Sequence, residues 1–141
     1  YRRIMNDAAV PSVPVVLNTF FPPNQPSVER CFEFGRMIGR AVTSWDQDAR
    51  VGVVASGGLS HFVIDEAFDE QFLAALKTGD KAQLAAIPPD RFRSGTSESK
   101  NWITTAGVLA EANLEMSVVD YVPCYRSEAG TGNAMGFTVW G

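Results

Sequence analysis

The sequence predicts an α/β domain in which a mostly buried, mixed β-sheet is flanked by helices. Three observations carry that expectation. Residues 13–20 and 51–55 are β-branched and apolar runs, the composition of strands covered on both faces. Between them Val28, Cys31, Phe32, Gly35, Ile38, Val42 and Trp45 recur at three-and-four spacing, the stripe of an amphipathic helix. Strand, helix and strand following one another within about 45 residues form a parallel crossover unit.

The elements follow in order. Residues 1–12 are mixed and aperiodic. After the first run, Phe21-Pro-Pro-Asn-Gln-Pro26 must be an ordered loop, because three prolines exclude helix and ladder alike. Ser27 offers an N-cap to a helix of about five turns. Trp45-Asp-Gln-Asp-Ala49 turns the chain into the second run, which feeds the glycine-rich stretch Ser56-Gly-Gly-Leu-Ser-His61. Residues 69–77 read as a helix through Phe72, Leu73 and Leu76, and residues 81–86 as a short one that Pro88-Pro89 stops. A polar segment covers 91–99. From about Glu98, Trp102, Ile103, Ala106, Leu109, Ala110 and Asn113 predict a further helix, and residues 116–125 and 136–140 give two closing strands.

A chain of 141 residues with 45% hydrophobic content is long and apolar enough for one domain with a real core, which argues against disorder. A net charge of −4 with no basic run excludes a protein that works by neutralising nucleic-acid phosphates. No apolar stretch approaches the roughly 20 residues of a membrane helix, and no leader pattern opens the chain, so a cytoplasmic protein with no membrane partner is expected. Cys31 and Cys124 are too few for a disulfide scaffold or a zinc knuckle and read as buried free thiols. The chain opens Tyr-Arg-Arg without an initiator methionine, which suggests a fragment, a processed product or one piece of a larger assembly.

His61 is the only histidine. It sits on a glycine-rich turn after a strand-like run, where open α/β sheets place their ligands, and imidazole exchanges a proton near neutrality. The bland alternatives are a structural histidine and, for Gly57-Gly58, a tight turn needing positive φ. Three small-residue loops, 56–61, 95–99 and 129–136, could present functional groups. In the last, Gly130-Thr-Gly-Asn-Ala-Met-Gly136 precedes a strand instead of opening a helix, which excludes a pyrophosphate cradle. A serine hydrolase fails too, since Ser60 abuts His61 and no Gly-x-Ser-x-Gly elbow exists. One histidine cannot by itself furnish a two-histidine, one-carboxylate iron site.

Taken in order, Ser56-Gly-Gly-Leu-Ser-His61, Phe72-Leu-Ala-Ala-Leu76, Gly95-Thr-Ser-Glu-Ser-Lys-Asn-Trp102 and Ala129-Gly-Thr-Gly-Asn-Ala-Met-Gly136 make a specific pattern. It resembles the C-terminal part of the catalytic subunit of the type II extradiol ring-cleavage dioxygenases, the protocatechuate 4,5-dioxygenase and gallate dioxygenase superfamily. The likeness runs from about Pro11 to Trp140, and residues 18–26 look like the family's strand-to-loop passage ahead of Arg30-Cys31. It implies that residues 1–141 are the C-terminal portion of a catalytic domain, with 1–12 a linker or edge segment.

The resemblance also implies roles. His61 matches the catalytic acid/base histidine, and Glu98, four residues before Trp102, matches the carboxylate ligand of Fe(II). Thr131 falls where the family sets a small polar residue against the substrate, and Gly58 and Ser60 are expected to line the same place. The family's two iron-binding histidines lie in its N-terminal half, so a missing segment or companion subunit is implied, in an oligomeric enzyme acting on a catecholic acid and dioxygen. Alternatives stay open: Glu98 as a first-turn glutamate favoured by a helix dipole, Thr131 bonding its local backbone, and the chain as a non-enzymatic binding or signalling module on the same fold. A zinc hydrolase would differ in consuming no oxygen. Arg91, Arg93 and Lys100 are the nearest cations for an anionic substrate and otherwise read as solvated surface charges.

Overall fold

A computed structural model describes residues 6–8, 10–112 and 114–141. Helix α1 (Val28–Thr43) begins at its predicted cap, Ser27, whose Oγ accepts the Arg30 N–H at 3.2 Å. Its buried face, Val28, Cys31, Phe32 and Gly35, packs on α4 (Ser99–Leu109). That crossing leaves no room for a Cβ. One built on Gly35 would stand 2.0 Å from the Thr104 carbonyl oxygen, and one on Gly107 2.2 Å from that of Phe32. The two helices therefore meet backbone to backbone.

Helix α2 (Glu66–Thr78) starts earlier than the apolar spacing predicts, because Asp65 caps it by accepting the Phe68 N–H at 3.0 Å. The extra turn buries Phe68 with Phe72 and Phe92, ring centroids 5.7 to 5.9 Å apart. Each such ring contributes about 1.5–3 kcal/mol through burial. Asp80 caps α3 (Lys81–Ala85), and two 3₁₀ segments, Pro89–Phe92 and Ser94–Glu98, lead into α4.

Strands β2 (Met116–Tyr125) and β3 (Thr131–Trp140) form an antiparallel hairpin, Met116 opposite Trp140 and Tyr125 opposite Gly132, with an irregularity between Val118 and Asp120. The three-residue β1 (His61–Val63) pairs antiparallel with the other side of β3, giving the order β1-β3-β2. Pro123 sits in β2, an edge strand, where a missing N–H is tolerated.

The α/β class holds, with three strands and four α-helices among the described residues. The parallel crossover within it does not form. Residues 13–20 and 51–55 belong to no strand, and the three strands present pair antiparallel throughout. The physical reason is the absence of a neighbour: a valine-rich run declares apolar surface but not its partner, and among the described residues no strand flanks either run. Val13 and Val16 stay 90% exposed and Val54 88%. The sheet is likewise only partly covered, with Val118, Val119, Phe137 and Val139 exposed. Residues 51–55, α4 and β3 line a largely apolar groove of about 510 Å³.

Two smaller expectations shift. The loop expected at 129–136 is mostly strand, since a turn closed by Gly130 N–H to the Ser127 carbonyl (3.1 Å) lets β3 start at Thr131. His61 begins a strand instead of ending a loop. Asn113 of the predicted fourth helix, and residues 1–5 and 9 of the expected linker or edge segment, lie outside the described residues. Cys31 is buried, Cys124 half-buried, and both are free thiols. No helix among the described residues is long and apolar enough to cross a membrane.

Candidate active site

Three hydrogen bonds fasten the backbone of residues 56–58 to the segment that opens α4. Trp102 Nε1–H donates to the Gly57 carbonyl at 3.1 Å, Asn101 Nδ2–H to the Ser56 carbonyl at 2.9 Å, and Gly58 N–H to Glu98 Oε2 at 3.2 Å. This lattice brings His61 and Glu98 together: Nε2 lies 3.7 Å from Oε2. Glycine backbone lines both. A Cβ on Gly57, whose φ is 126°, would meet Glu98 Cβ at 2.9 Å, while one on Gly58 would stand 2.7 Å from His61 Cε1 and one on Gly95 2.5 Å from His61 Cβ. The imidazole is well covered, at 15% exposure, whereas the carboxylate is open, at 47%.

The ring is oriented as well as enclosed. His61 Nδ1 lies 2.7 Å from the Leu59 carbonyl oxygen. A carbonyl only accepts, so Nδ1 carries the hydrogen and the neutral ring keeps its lone pair on Nε2, the nitrogen facing Glu98. The His61 N–H donates to Thr96 Oγ1 at 3.2 Å. Phe62 follows at φ 69°, a left-handed conformation that a bulky side chain adopts at a cost, so the chain turns sharply beside the histidine.

Of the residues expected in the site, His61, Glu98 and Gly58 converge. Ser60 turns the other way, toward the interior. It is 2% exposed, its hydroxyl donates to Asp69 Oδ2 at 2.7 Å and accepts the Asp65 N–H at 2.9 Å, and its own N–H donates to Asp69 Oδ1 at 2.8 Å. Thr131 sits opposite Val63, with Oγ1 2.7 Å from Ser127 Oγ, so its hydroxyl meets a side chain of the turn. Asn133, two residues along β3, is the one paired with His61. Cross-strand partners share a face of the sheet, which makes Asn133 a neighbour of the imidazole.

Of the three cations, Arg91 and Arg93 are exposed, as expected of surface charges, and Lys100 is not. Arg91 pairs with Asp65 and lies over the Phe68 ring, 5.2 Å from its centroid. Lys100 is 7% exposed, and burial pushes its pKa down.

The largest omission of the sequence reading is Asp69, fully buried beneath the loop. Burial pushes its carboxyl above the ordinary carboxylate range, against the pull of hydrogen bonds from Ser60 and Tyr121, the latter at 2.8 Å. The Tyr121 phenol is raised in turn, by burial first and then by Asp69. A signal existed: Asp69, Phe72, Leu73 and Leu76 stand at i, i+3, i+4 and i+7, which puts the aspartate on the apolar stripe. Asn101 and Trp102 lay inside a conspicuous motif, but nothing in their spacing says that they bond a loop so distant in sequence.

As a metal site the arrangement is incomplete. Among the described residues no three His, Cys, Asp or Glu side chains stand close enough to hold an ion. Glu98 offers a hard oxygen donor suited to iron, but a single carboxylate falls short of the three-ligand set such a site needs.

The family model for the catalytic LigB subunit of aromatic ring-opening dioxygenase matches residues 3–132. Gallate dioxygenase from Pseudomonas putida is 30% identical over 107 residues, covering 68% of this chain and 31% of that protein. The chain thus spans about a third of the length of that curated relative. No solved structure matches it significantly.

Proposed function

The chain belongs to the family of catalytic LigB subunits of aromatic ring-opening dioxygenases, and on that premise we propose that it serves extradiol cleavage of a catecholic aromatic acid, such as gallate or protocatechuate, by dioxygen. The observation that supports this reading best is the 3.7 Å approach of His61 Nε2 to Glu98, from two separate motifs.

In this reading His61 is the acid/base. Its Nε2 lone pair removes a proton from a substrate hydroxyl, while the Leu59 carbonyl holds Nδ1 and keeps the ring from turning. The imidazolium so formed lies beside the Glu98 carboxylate, which stabilises the added charge until the proton is returned to the opening ring. Gly58 and Gly95 leave the ring closely flanked by backbone, and no larger residue could stand there without displacing it. Fe(II) is the cofactor this proposal calls for. Glu98 would supply one ligand, and two histidines from a further segment or a companion subunit would supply the others.

The test uses full-length enzyme, reconstituted with iron and assayed for oxygen uptake and ring-opening absorbance. His61→Ala lowers kcat by about 10²–10⁴-fold and keeps its iron, whereas Glu98→Ala loses iron. Iron loss in the His61 variant would overturn the division of labour. A stable protein that neither binds iron nor consumes oxygen, even with its partner segment present, would favour the non-enzymatic module.

A further inference from the structure

We propose that Asp69 is a positioning residue for His61, acting through the one peptide group that joins Leu59 to Ser60; the inference rests on the acid/base reading of His61. The N–H and the C=O of that peptide belong to a single plane, and both ends are engaged. Its N–H, that of Ser60, donates to Asp69 Oδ1 at 2.8 Å. Its C=O, that of Leu59, accepts from His61 Nδ1 at 2.7 Å. An anion at the N–H end draws the peptide dipole into line and makes the carbonyl a better acceptor, because hydrogen bonds in series polarise one another where water is excluded. The aspartate thereby acts on the ring as a directly bonded carboxylate would, with one amide interposed.

The surroundings are built for an anion at this point. Asp69 is 0% exposed, and its second oxygen accepts from Ser60 Oγ–H and Tyr121 Oη–H, so three donors converge on it and it has no need to donate. Asp65 and Glu66 of the α2 N-terminus, with Tyr121 and Tyr125 of β2, are the other titratable groups around it, and Glu98 faces the far side of the imidazole. The consequence for chemistry is a ring held with its proton on Nδ1 and its lone pair aimed at the open carboxylate.

Because His61 is the only histidine of the 141-residue chain, a nitrogen–proton correlation spectrum reports on one imidazole alone. In the unaltered chain the neutral ring carries its proton on Nδ1; an Nε2–H ring would overturn the inference outright. Asp69→Asn keeps the shape and an oxygen for the Ser60 N–H but removes the charge. The ratio of Nδ1–H to Nε2–H tautomer then falls about fivefold, the scale of one hydrogen bond's net worth, with the backbone amide spectrum retained. A folded variant with an unchanged ratio would reduce Asp69 to a loop anchor and end the proposal. Should Asp69→Asn not fold, Tyr121→Phe frees the carboxylate of one competing donor and raises the Nδ1–H share; no rise would count against it. The two readings fail separately. Turnover surviving His61→Ala in full-length enzyme would remove the proposed function while a tautomer shift in Asp69→Asn would leave the coupling intact.

Discussion

Residues 56–61 and residues 51–55 adjoin in sequence, yet they are held in opposite ways. The first segment is fastened by side-chain and backbone hydrogen bonds to Glu98, Asn101, Trp102, Thr96 and Asp69. The second, richer in valine and better suited to a strand, joins no ladder and leaves Val51 and Val54 exposed. The difference separates two kinds of instruction. A motif of small and polar residues carries its partners in its own donors and acceptors, which tolerate few alternatives. An apolar run states how much surface must leave water and accepts any cover of the right shape.

The contrast can be pressed from its rigid end. Gly35→Ala forces a Cβ against the Thr104 carbonyl, and the chain loses about 1–3 kcal/mol of stability in urea melts. A neutral result would mean that α1 and α4 can slide apart freely. Trp102→Phe deletes the donor to the Gly57 carbonyl and part of the buried indole, whose Cη2 lies beside Gly136; the expected loss is about 1–3 kcal/mol, and equal stability would show the loop held without it. At the loose end, Val54→Ser changes stability by less than about 0.5 kcal/mol and lowers binding of an apolar fluorescent dye. A loss above about 1 kcal/mol there would show the run already packed.

The same contrast explains what could be read in advance. Helix α1 announces itself through Ser27 and a stripe of apolar residues, and β2 spans its predicted residues 116–125 without change. Both signals are local. Strand β1 was hidden because three residues cannot show a period, and its register comes wholly from β3. The run at 51–55 was misread for the converse reason: its pattern is clear, but a strand exists only beside another. In the site, His61 and Glu98 could be picked out by residue type and motif, while their 3.7 Å approach depends on bonds from Asn101 and Trp102 that no spacing encodes. Asp69 was overlooked because acidic residues in a first turn normally serve the helix and face water; only its place on the apolar stripe betrays it.

Pro123 has a consequence for how the sheet can grow. With no amide hydrogen at Pro123, near the end of β2, and a break in regular pairing between Val118 and Asp120, that rim offers an incoming strand an interrupted template. On the opposite side the three-residue β1, with Phe62 at φ 69°, covers only the start of β3. The regular seam of this sheet is instead the β1 side of β3 past Ala134, where no strand is paired among the described residues, so a further strand would find its place there and not along β2.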